Sequence, residues 1–530
     1  MKKFYLNKII FLLLFAFQFQ LQATEKPLPR EIIVKIKKPV DQKALANLKL
    51  DSAASLKPLF FPMKNFRRAF EKSPLTQYFK IQISETDQIQ RTLANLQESS
   101  LIEFAEVNRT FLLHDAPNDP RYSEQWYLQK IQIENAWQIT TGDSSVIVGV
   151  IDTGVDYLHE DLRNNLWLNT GEDINGNGAV DSSDFNGIDD DGNGFVDDIR
   201  GWDFTDAPHF PDGGDYLIPD NDPADEHGHG TSVAGIIAAT ANNKKGIAGI
   251  APSCRIMGLR AGTAQGYLEE DDVAAAIIYA IDNGARIINM SFGDVATSPL
   301  FRDVMEFARQ NNIVLIASAG NASSAEINYP AALPQVISVG AVSSSDALAG
   351  FSSYGATIDI VAPGVQLLTT AKNNSYSLFS GTSAAAPVVS GVAALILSHS
   401  PEMSNFTVRN VLVSSATDLG SPGWDNKFGA GRVDAFRALQ IDLATVAHIS
   451  FPKFDQGFAG SEIPIIGTAA GAFMEKYDIS FGIGDNPMQW FPVVSVDRHQ
   501  VISDTLCFWS PENLPDTSIV LCLRVQNFDA

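Results

Sequence analysis

Cysteine is scarce in this chain, with three among 530 residues. Three cysteines are too few for a fold held together by disulfides, so a hydrophobic core must provide the stability. Cys254 lies in an apolar run and is predicted to be a small buried side chain rather than a reactive thiol. Cys507 and Cys522 lie in neighbouring strand-like runs, and in an oxidising compartment they either form a disulfide or remain free thiols.

Basic residues are also few, at 38 Lys and Arg against 62 Asp and Glu, and the formal net charge is −24 at pH 7. A surface that binds phosphates needs a basic patch, so we expect no nucleic-acid partner. The excess acid is concentrated in one segment. Residues 172–226 contain 17 acidic residues and one basic residue, Arg200, and therefore carry −16 of the total.

Beyond the N-terminus we expect no segment that is long and apolar enough to span a membrane. The apolar stretch Ile9–Phe17 is too short to cross a bilayer as a helix. It follows Lys2 and Lys3 and precedes a small residue, Ala23, as in a secretory signal peptide. We therefore predict a signal peptide over residues 1–23, in preference to a core helix, and export of the protein without a membrane span.

Three regions of different pattern follow. Residues 24–117 combine strand-like runs with an amphipathic helix over 86–97, which predicts a small α+β unit. Residues 118–445 alternate almost continuously apolar strands with helices, the pattern of an α/β, doubly wound parallel sheet covered on both faces. Residues 446–530 contain strand-like runs separated by turns, which predicts an antiparallel β-sandwich.

Four polar residues stand where predicted strands end or predicted helices begin. Asp152 and Asn321 end apolar strands, whereas His229 and Ser383 each open an apolar helix. The neighbours of Ser383 are small, which leaves its hydroxyl accessible to a substrate backbone. We interpret Pro387 as an early helical position whose N–H needs no acceptor.

These residue types match what a serine nucleophile requires. Serine is a weak nucleophile at neutral pH and needs a base within hydrogen-bond reach, which in turn needs an orienting carboxylate. An amide donor stabilises the developing oxyanion, and its removal typically slows the reaction roughly 10²–10³-fold. Each residue alone is equally well explained as a turn or a helix cap. The four together favour an acyl-transfer site.

Five motifs between about Trp126 and Ala435 resemble the signatures of the subtilisin-like serine proteases, the subtilases. They are IDTGVD (151–156), HGHGTSVAG (227–235), NMSFG (289–293), ASAGN (317–321) and GTSAAAP (381–387). The resemblance implies that Asp152 orients the base His229, that Ser383 is the nucleophile and that Asn321 is the oxyanion donor. The sequence departs from the family pattern at Ala384, because methionine usually follows the nucleophilic serine in that family.

The resemblance also implies a substrate site and a propeptide. Ser291, Phe292 and Gly293 match the segment that pairs with an extended substrate, and Gly320 belongs to the same site. A broad, apolar side-chain preference is expected. Residues 24–117 resemble the family's inhibitory propeptide, with cleavage between about Leu113 and Asp119, although a permanently attached accessory domain is the alternative.

The acidic segment contains two runs with the spacing of a calcium loop. The first places oxygen-bearing side chains at the ligand positions Asp173, Asn175, Asn177, Asp181 and Asp184. The second offers Asp189, Asp191, Asn193 and Asp197 at the same spacing. Its twelfth position is Arg200, so it must borrow a ligand or share the ions of the first run. We predict Ca²⁺ over residues 172–226, because such dense like charges otherwise repel, with a solvated acidic loop as the alternative.

The leading hypothesis is a secreted, calcium-stabilised serine endopeptidase, made as an inactive precursor and acting on polypeptide substrates. A catalytically silent protein that binds through its C-terminal sandwich is the alternative from another class, and a narrow processing protease is a third. A silent protein has no need of all four polar residues, so their joint presence favours an enzyme.

Overall fold

The computed structural model divides the chain into two compact units, residues 1–114 and 115–530. The predicted signal peptide lies outside the residues that the structure describes, and so does the first part of the predicted cleavage region. The described residues are 31–37, 55–60, 73–83, 89–97, 99–108, 116–211, 213–441, 445–453, 456–458, 462–471, 474–511, 514 and 516–527.

The first unit contains an antiparallel sheet and one α-helix. Its elements are β1 (Glu31–Ile36), β2 (Ser55–Pro58), a short 3₁₀ helix (Pro74–Gln77), β3 (Tyr78–Gln82), α1 (Ile89–Gln97) and β4 (Ile102–Val107). The strands pair in the order β2-β3-β1-β4. Ile32, Val34 and Ile36 alternate along β1 and are buried, and α1 adds Ile89 and Leu96 to the same core. Strands β1, β3 and β4 and helix α1 lie where the pattern of apolar residues predicts them, whereas β2 was not predicted.

A parallel sheet forms the centre of the second unit. Its strands are β5 (Ile147–Asp152), β6 (Gly201–Asp203), β7 (Arg255–Arg260), β8 (Ile287–Met290), β9 (Val314–Ser318), β10 (Val336–Val342) and β11 (Ile360–Pro363). They lie in the order β11-β10-β9-β8-β5-β7-β6, and every pairing is parallel. The predicted doubly wound parallel sheet is therefore confirmed.

Helices cover both faces of this sheet, which is why its strands are apolar throughout. Helices α4 (His229–Ala238) and α7 (Thr382–His399) pack on the face that includes Val150, whereas α5 (Glu270–Asp282) and α6 (Pro299–Gln310) pack on the face that includes Ile151. A hairpin of β12 (Leu367–Ala371) and β13 (Ser375–Phe379) packs against α4 through β12. The other helices in the described part of this unit are α2 (Trp126–Lys130), α3 (Ile133–Ala136), α8 (Asn405–Ser415) and α9 (Ala435–Ala438), with a 3₁₀ turn at Tyr122–Glu124.

Helix α7 is longer and more apolar than was expected of any segment after the N-terminus. In the described part of the chain it is the one helix with the length and hydropathy of a membrane span. Within the apolar window, 83% of the residues are buried inside the unit, as in the central helix of a globular domain.

Strand β5 is the point at which the strand order reverses, with β7 on one side and β8 on the other. In sheets of this kind, ligands bind outside the carboxyl ends of the strands at such a reversal. Asp152 is the last residue of β5, and the segment after β8 begins at Ser291. The topology therefore brings the predicted site residues to one edge of the sheet.

The C-terminal part folds into two three-stranded antiparallel sheets that share a core. One sheet pairs β14 (Val446–Phe451), β15 (Ile463–Ala470) and β18 (Val501–Trp509) in the order β14-β15-β18. The other pairs β16 (Met474–Ile483), β17 (Phe491–Asp497) and β19 (Ile519–Asn527) in the order β17-β16-β19. Cys507 and Cys522 lie in different sheets and both carry free thiols, while Cys254 in the central region is fully buried.

Candidate active site

His229 and Asp152 form a hydrogen-bonded pair at the carboxyl end of β5. His229 is the first residue of α4, and its Nδ1 lies 2.7 Å from Asp152 Oδ1. Asp152 is 2% exposed, and the same oxygen accepts the Thr153 backbone N–H at 2.8 Å. A buried carboxylate that holds Nδ1–H leaves Nε2 as the nitrogen that can accept a proton.

The pKa of His229 lies above its usual value of 6.5. Burial alone lowers this pKa, because it disfavours the charged imidazolium. The negative charge of Asp152, its hydrogen bond and the charge of Asp225 act in the opposite direction and outweigh burial. The surroundings therefore stabilise the imidazolium that forms when His229 takes up a proton.

Asp225 holds the two elements of this pair together, and sequence reasoning missed it. Its Oδ2 accepts hydrogen bonds from the N–H (2.9 Å) and the hydroxyl (2.6 Å) of Thr231, in the first turn of α4. Its Oδ1 accepts the Gly228 N–H at 2.7 Å and the Thr153 hydroxyl at 2.9 Å, at the end of β5. The carboxylate thereby caps α4 and positions His229. Asp225 lies four residues before the first residue of α4, outside the N-cap position that Gly228 holds, so the usual sequence signal of a cap did not mark it.

We expect Asp225→Asn to move the acidic limb of the kcat/KM profile to lower pH. The predicted base, His229, would act in its neutral form, and a raised pKa would keep it protonated and inactive up to a higher pH. Removing the Asp225 charge lowers that pKa, so activity persists in more acidic solution. The measurement is kcat/KM for a peptide substrate from about pH 5 to 9. Asp222→Asn, which removes an exposed carboxylate bonded to Tyr157, is the control and should leave the limb in place. An unmoved limb in Asp225→Asn contradicts this electrostatic role.

Ser383 is the second residue of α7, at a helix start built from small residues. Gly381 precedes the helix with φ of 144°, a conformation that residues with a Cβ rarely adopt. Ala384, Ala385 and Ala386 are fully buried, while Ser383 is partly exposed. The alanines therefore allow close packing beneath the helix as well as access to the hydroxyl.

Pro387 lies in the second turn of α7 rather than at its start, which corrects the interpretation from the sequence. It is the sixth residue of the helix, where an N–H would normally bond to the carbonyl of Ser383, four residues earlier. Proline has no N–H, and the Ser383 carbonyl accepts the Ser291 hydroxyl at 3.1 Å instead. The proline thus frees the carbonyl of Ser383 to bond to the neighbouring segment.

A buried polar network continues from Ser291 into the core. Asn289 in β8 donates to the Ser291 hydroxyl oxygen at 2.9 Å and accepts the Ser390 hydroxyl of α7 at 2.8 Å. Asn289 and Ser390 are both fully buried. A satisfied buried network fixes the side chains that form it, so this one holds the start of α7 against β8. Sequence reasoning missed both residues, although a polar Asn289 within an apolar strand was a visible signal.

The Ser383 hydroxyl and Asn321 meet at the same helix end. The hydroxyl donates to the Ser291 backbone oxygen at 2.9 Å, and no hydrogen bond among the described residues joins it to His229. Proton transfer to His229 therefore requires rotation of the serine side chain. Asn321 Oδ1 accepts the N–H (2.9 Å) and the hydroxyl (3.0 Å) of Thr382, which leaves Nδ2 as the free donor end of the amide.

The predicted substrate-binding residues follow β8 and β9. After β8 the chain passes from buried to exposed, and an antiparallel bridge between Asp294 and Tyr329 fixes the segment, with N···O distances of 2.9 and 2.7 Å. After β9 the chain turns through a glycine with φ of 101°. These segments contain the predicted residues Ser291, Phe292, Gly293 and Gly320.

The first acidic run folds into a loop around Asp173, whose carboxylate accepts the N–H groups of Asn177 (3.2 Å) and Gly178 (2.7 Å). Asp184 Oδ2 accepts the Asp181 N–H at 2.7 Å. Asp184 is fully buried, and its Oδ1 has no hydrogen-bond partner in the described part of the chain. A buried carboxylate oxygen without a partner is costly unless a cation compensates it, so this oxygen-rich loop fits a hard cation such as Ca²⁺. The other two predicted ligands donate to the Asp181 carboxylate, at 2.9 Å from Asn175 and 2.7 Å from Asn177.

The second acidic run brings only part of its predicted ligand set together. Asp189 and Asp191 both accept backbone N–H groups of the loop, including that of Asn193. Asp197 is engaged elsewhere, because its carboxylate accepts the N–H groups of residues 186 and 187. Arg200 stacks on the Tyr157 ring at 4.0 Å. This run therefore lacks two of the ligands that a complete calcium loop would use, those at positions 197 and 200.

Comparison with known proteins supports one family. The family model described as the subtilase family, peptidase S8, matches residues 143–431. The chain is 36% identical over 361 residues to a thermophilic serine proteinase of Bacillus sp. (strain AK1), covering 68% of this chain and 78% of that protein. A halolysin-like extracellular serine protease, Nep, of Natrialba magadii is 35% identical over 348 residues, covering 66% of this chain and 57% of that protein.

A solved structure is similar in fold. It is the structure of a protease from Pseudoalteromonas arctica PAMC 21717. The two structures superpose with a TM-score of 0.51 at 28% sequence identity, and the match covers 62% of this chain and 99% of that one. The matched family region spans all four residues predicted to form the catalytic centre. The chain therefore belongs to the subtilase family of serine endopeptidases.

Proposed function

We propose that this chain is the precursor of a secreted subtilase in which Ser383 attacks the substrate, His229 transfers protons and Asp152 orients His229. One observation carries the proposal. The His229–Asp152 pair, with its 2.7 Å contact, and the N-terminus of α7 that bears Ser383 both belong to the edge of the sheet where the strand order reverses.

The reaction proceeds through an acyl ester on Ser383. Its Oγ leaves the Ser291 carbonyl, gives its proton to His229 Nε2 and bonds to the carbonyl carbon of the scissile peptide. The C–N bond breaks as the imidazolium protonates the leaving amine. Water then attacks the ester carbon while His229 takes its proton, and the C–O bond to Ser383 breaks to release the acid as His229 returns that proton to Oγ.

Two donors are available to the oxyanion that forms at each step. Asn321 Nδ2 is preorganised, because Thr382 already occupies the oxygen of the same amide. The Ser383 backbone N–H lies in the first turn of α7, where it has no intrahelical acceptor and where the helix dipole is positive.

Polypeptide recognition is proposed to use the two segments beside this site. An extended substrate pairs with the backbone of Ser291, Phe292 and Gly293, as a strand added to a sheet edge. Phe292, Gly293 and Gly320 wall the pocket for the residue before the scissile bond. A partly buried phenylalanine and two glycines favour a broad, apolar preference.

Calcium is proposed to stabilise residues 172–226. The loop around Asp173 supplies the oxygen ligands, and the partnerless Asp184 Oδ1 is the observation that favours a cation there. When bound, Ca²⁺ supplies the positive charge that the dense carboxylates need. The segment lies between Asp152 and His229 in the chain, so its order influences how the two approach each other.

The proposed precursor has four parts: a signal peptide (1–23), an inhibitory propeptide (24–117), a catalytic domain (118–445) and a β-sandwich (446–530). Cleavage is proposed between Leu113 and Asp119. The extracellular relative from Natrialba magadii supports secretion. An exported protease also needs a means of remaining silent inside the cell, which favours the propeptide over a permanent accessory domain.

Self-maturation tests this proposal. The wild-type precursor and Ser383→Ala are each incubated with calcium or with chelator and compared on a gel, with circular dichroism to confirm folding. We expect only the wild type with calcium to shorten, by the mass of residues 24–117, because cleavage needs both the nucleophile and an ordered acidic segment. If both proteins remain full length while folded, the protease mechanism proposed here is wrong.

A further inference from the structure

The second acidic run, residues 189–200, cannot bind a cation with the ligands that its spacing suggests. Asp197 accepts hydrogen bonds from the N–H groups of Asn186 and Gly187, both at 2.9 Å. Arg200 is a cation itself and stacks on an aromatic ring. If this run holds an ion, other carboxylates must supply the missing oxygens.

Glu172 lies directly beside this run, although it precedes the first acidic loop in the chain. It is fully buried. Its Oε1 accepts the N–H groups of Asp190 (2.8 Å) and Asp191 (3.2 Å). Its Oε2 is buried and has no hydrogen-bond partner among the described residues. An ionised carboxylate oxygen in that position is strongly destabilising unless a positive charge meets it.

The carboxylates of Asp191 and Asp198 lie close to the carboxylate of Glu172. One carboxylate oxygen from each of Glu172, Asp191 and Asp198 lies within 4.8 Å of the other two. Asp198 is fully buried and accepts hydrogen bonds from Asn169 (2.7 Å), Asn193 (3.0 Å) and the Tyr279 hydroxyl. These neutral donors orient the carboxylate without neutralising it, so three negative groups converge, and none of their hydrogen-bond partners in the described part of the chain is a cationic side chain.

The residue before Glu172 is a glycine, and its lack of a side chain leaves room for Asp191. A Cβ placed on Gly171 would lie 2.5 Å from the Cβ of Asp191 and 2.8 Å from its Oδ2. Contacts that short do not occur, so a larger residue would push the Asp191 side chain out of the cluster. Glycine at this position lets the two acidic segments approach closely.

We propose that Glu172, Asp191 and Asp198 form a second calcium site, distinct from the loop around Asp173, in which Glu172 is the borrowed ligand. Three carboxylates with hard oxygen donors match the ligand preference of Ca²⁺. The inference rests on the proposed binding of calcium by residues 172–226 and specifies which side chains hold a further ion.

This site connects the insertion with the catalytic sheet. Asn193 and Asp198 flank Phe195, whose ring packs edge-on against Tyr279 (4.9 Å) and Trp202 (5.0 Å). Trp202 is in β6, which pairs with β7, and β7 pairs with the strand that ends in Asp152. An ion here therefore holds a loop whose aromatic side chain packs on the core between the sheet and helices α5 and α6.

The test counts calcium ions in the full chain carrying Ser383→Ala, which prevents self-cleavage. That parent is compared with versions that add Glu172→Gln or, as the matched control for the first loop, Asp184→Asn. Equilibrium dialysis against calcium chloride gives the ions bound per chain, and thermal unfolding is followed with calcium and with chelator. We expect each substitution to remove about one ion, because each deletes a charged ligand from a different site.

Thermal stability gives a second readout that a purely structural role for Glu172 would not produce. In chelator, Glu172→Gln should unfold at or above the midpoint of the parent, because removing one of three like charges relieves repulsion. In calcium it should unfold below the parent, because a lost ion no longer stabilises the folded state. Terbium provides a direct probe, since Tyr279 next to the site should sensitise its emission in the parent and in Asp184→Asn but not in Glu172→Gln.

The outcomes separate the two proposals. If the parent binds no calcium, the proposed calcium dependence fails and this site fails with it. If Asp184→Asn loses an ion but Glu172→Gln binds as many as the parent, calcium stabilisation stands and the second site is wrong. Should Glu172→Gln fail to fold, Asp191→Asn answers the same question, because Asp191 is exposed and its replacement leaves the buried packing intact.

Discussion

Ser383→Ala is expected to lower kcat for peptide hydrolysis by roughly 10⁶-fold, the scale of loss when a triad serine is removed. Alanine lacks the oxygen that bonds to the substrate carbonyl, and no covalent intermediate can form. The fold should survive, because three alanines already follow at the start of α7 and the bond from Ser291 reaches the backbone of residue 383. Residual hydrolysis reflects oxyanion stabilisation and substrate binding alone.

The measurement is kcat on a chromogenic peptide amide. Each precursor is first trimmed by a trace of wild-type enzyme, whose contribution is titrated and subtracted. Ser380→Ala is the matched control, since it removes an exposed hydroxyl three residues away that accepts the Gln366 N–H at 2.7 Å. Wild-type kcat in Ser383→Ala, or an equal loss in Ser380→Ala, contradicts the assignment of the nucleophile.

Asp152→Asn is expected to lower kcat by about 10⁴-fold with little change in the fold. The Thr153 N–H requires an oxygen at the Oδ1 position, so the new amide nitrogen takes the place of Oδ2, which is buried and without a hydrogen-bond partner in the described structure. What is lost is the negative charge that stabilises the His229 imidazolium. The pKa of His229 should fall as well, because Asp152 raises it.

Two readouts check this expectation: kcat at its plateau and the midpoint of the acidic limb. Asp156→Asn is the control, because it removes a partly exposed carboxylate four residues along the chain that bonds to backbone N–H groups. It should leave both readouts near wild type. If Asp152→Asn keeps the plateau kcat of the wild type, another group must orient and stabilise His229.

Much of the site could be predicted because its residues stand at boundaries that local patterns reveal. Apolar runs locate the strands of the sheet, and the end of such a run locates Asp152. Apolar helices with small residues at their starts locate His229 and Ser383. These features depend on neighbours in the chain, so one sequence is sufficient to find them.

The features that were missed depend on pairings between distant segments. Asn289 and Ser390 are 101 residues apart, and only the packing of α7 on β8 brings them together. Pro387 was misplaced because the helix starts at Thr382, which its composition does not reveal. Spacing assigned Asp197 to the second acidic loop, but with φ of 56° its carboxylate bonds to a different turn. Tertiary pairing thus decides which carboxylate faces a site, even where the spacing suits a ligand.

The central claim is that Ser383 is a nucleophile activated by His229. The most direct measurement is to locate the covalent adduct by mass spectrometry after the mature enzyme reacts with a sulfonyl or phosphonyl fluoride, which traps activated serine. The account predicts a single adduct on the peptide that contains Ser383, forming in proportion to lost activity and absent in His229→Ala. Complete inactivation with Ser383 unmodified, or an equal adduct in His229→Ala, contradicts it.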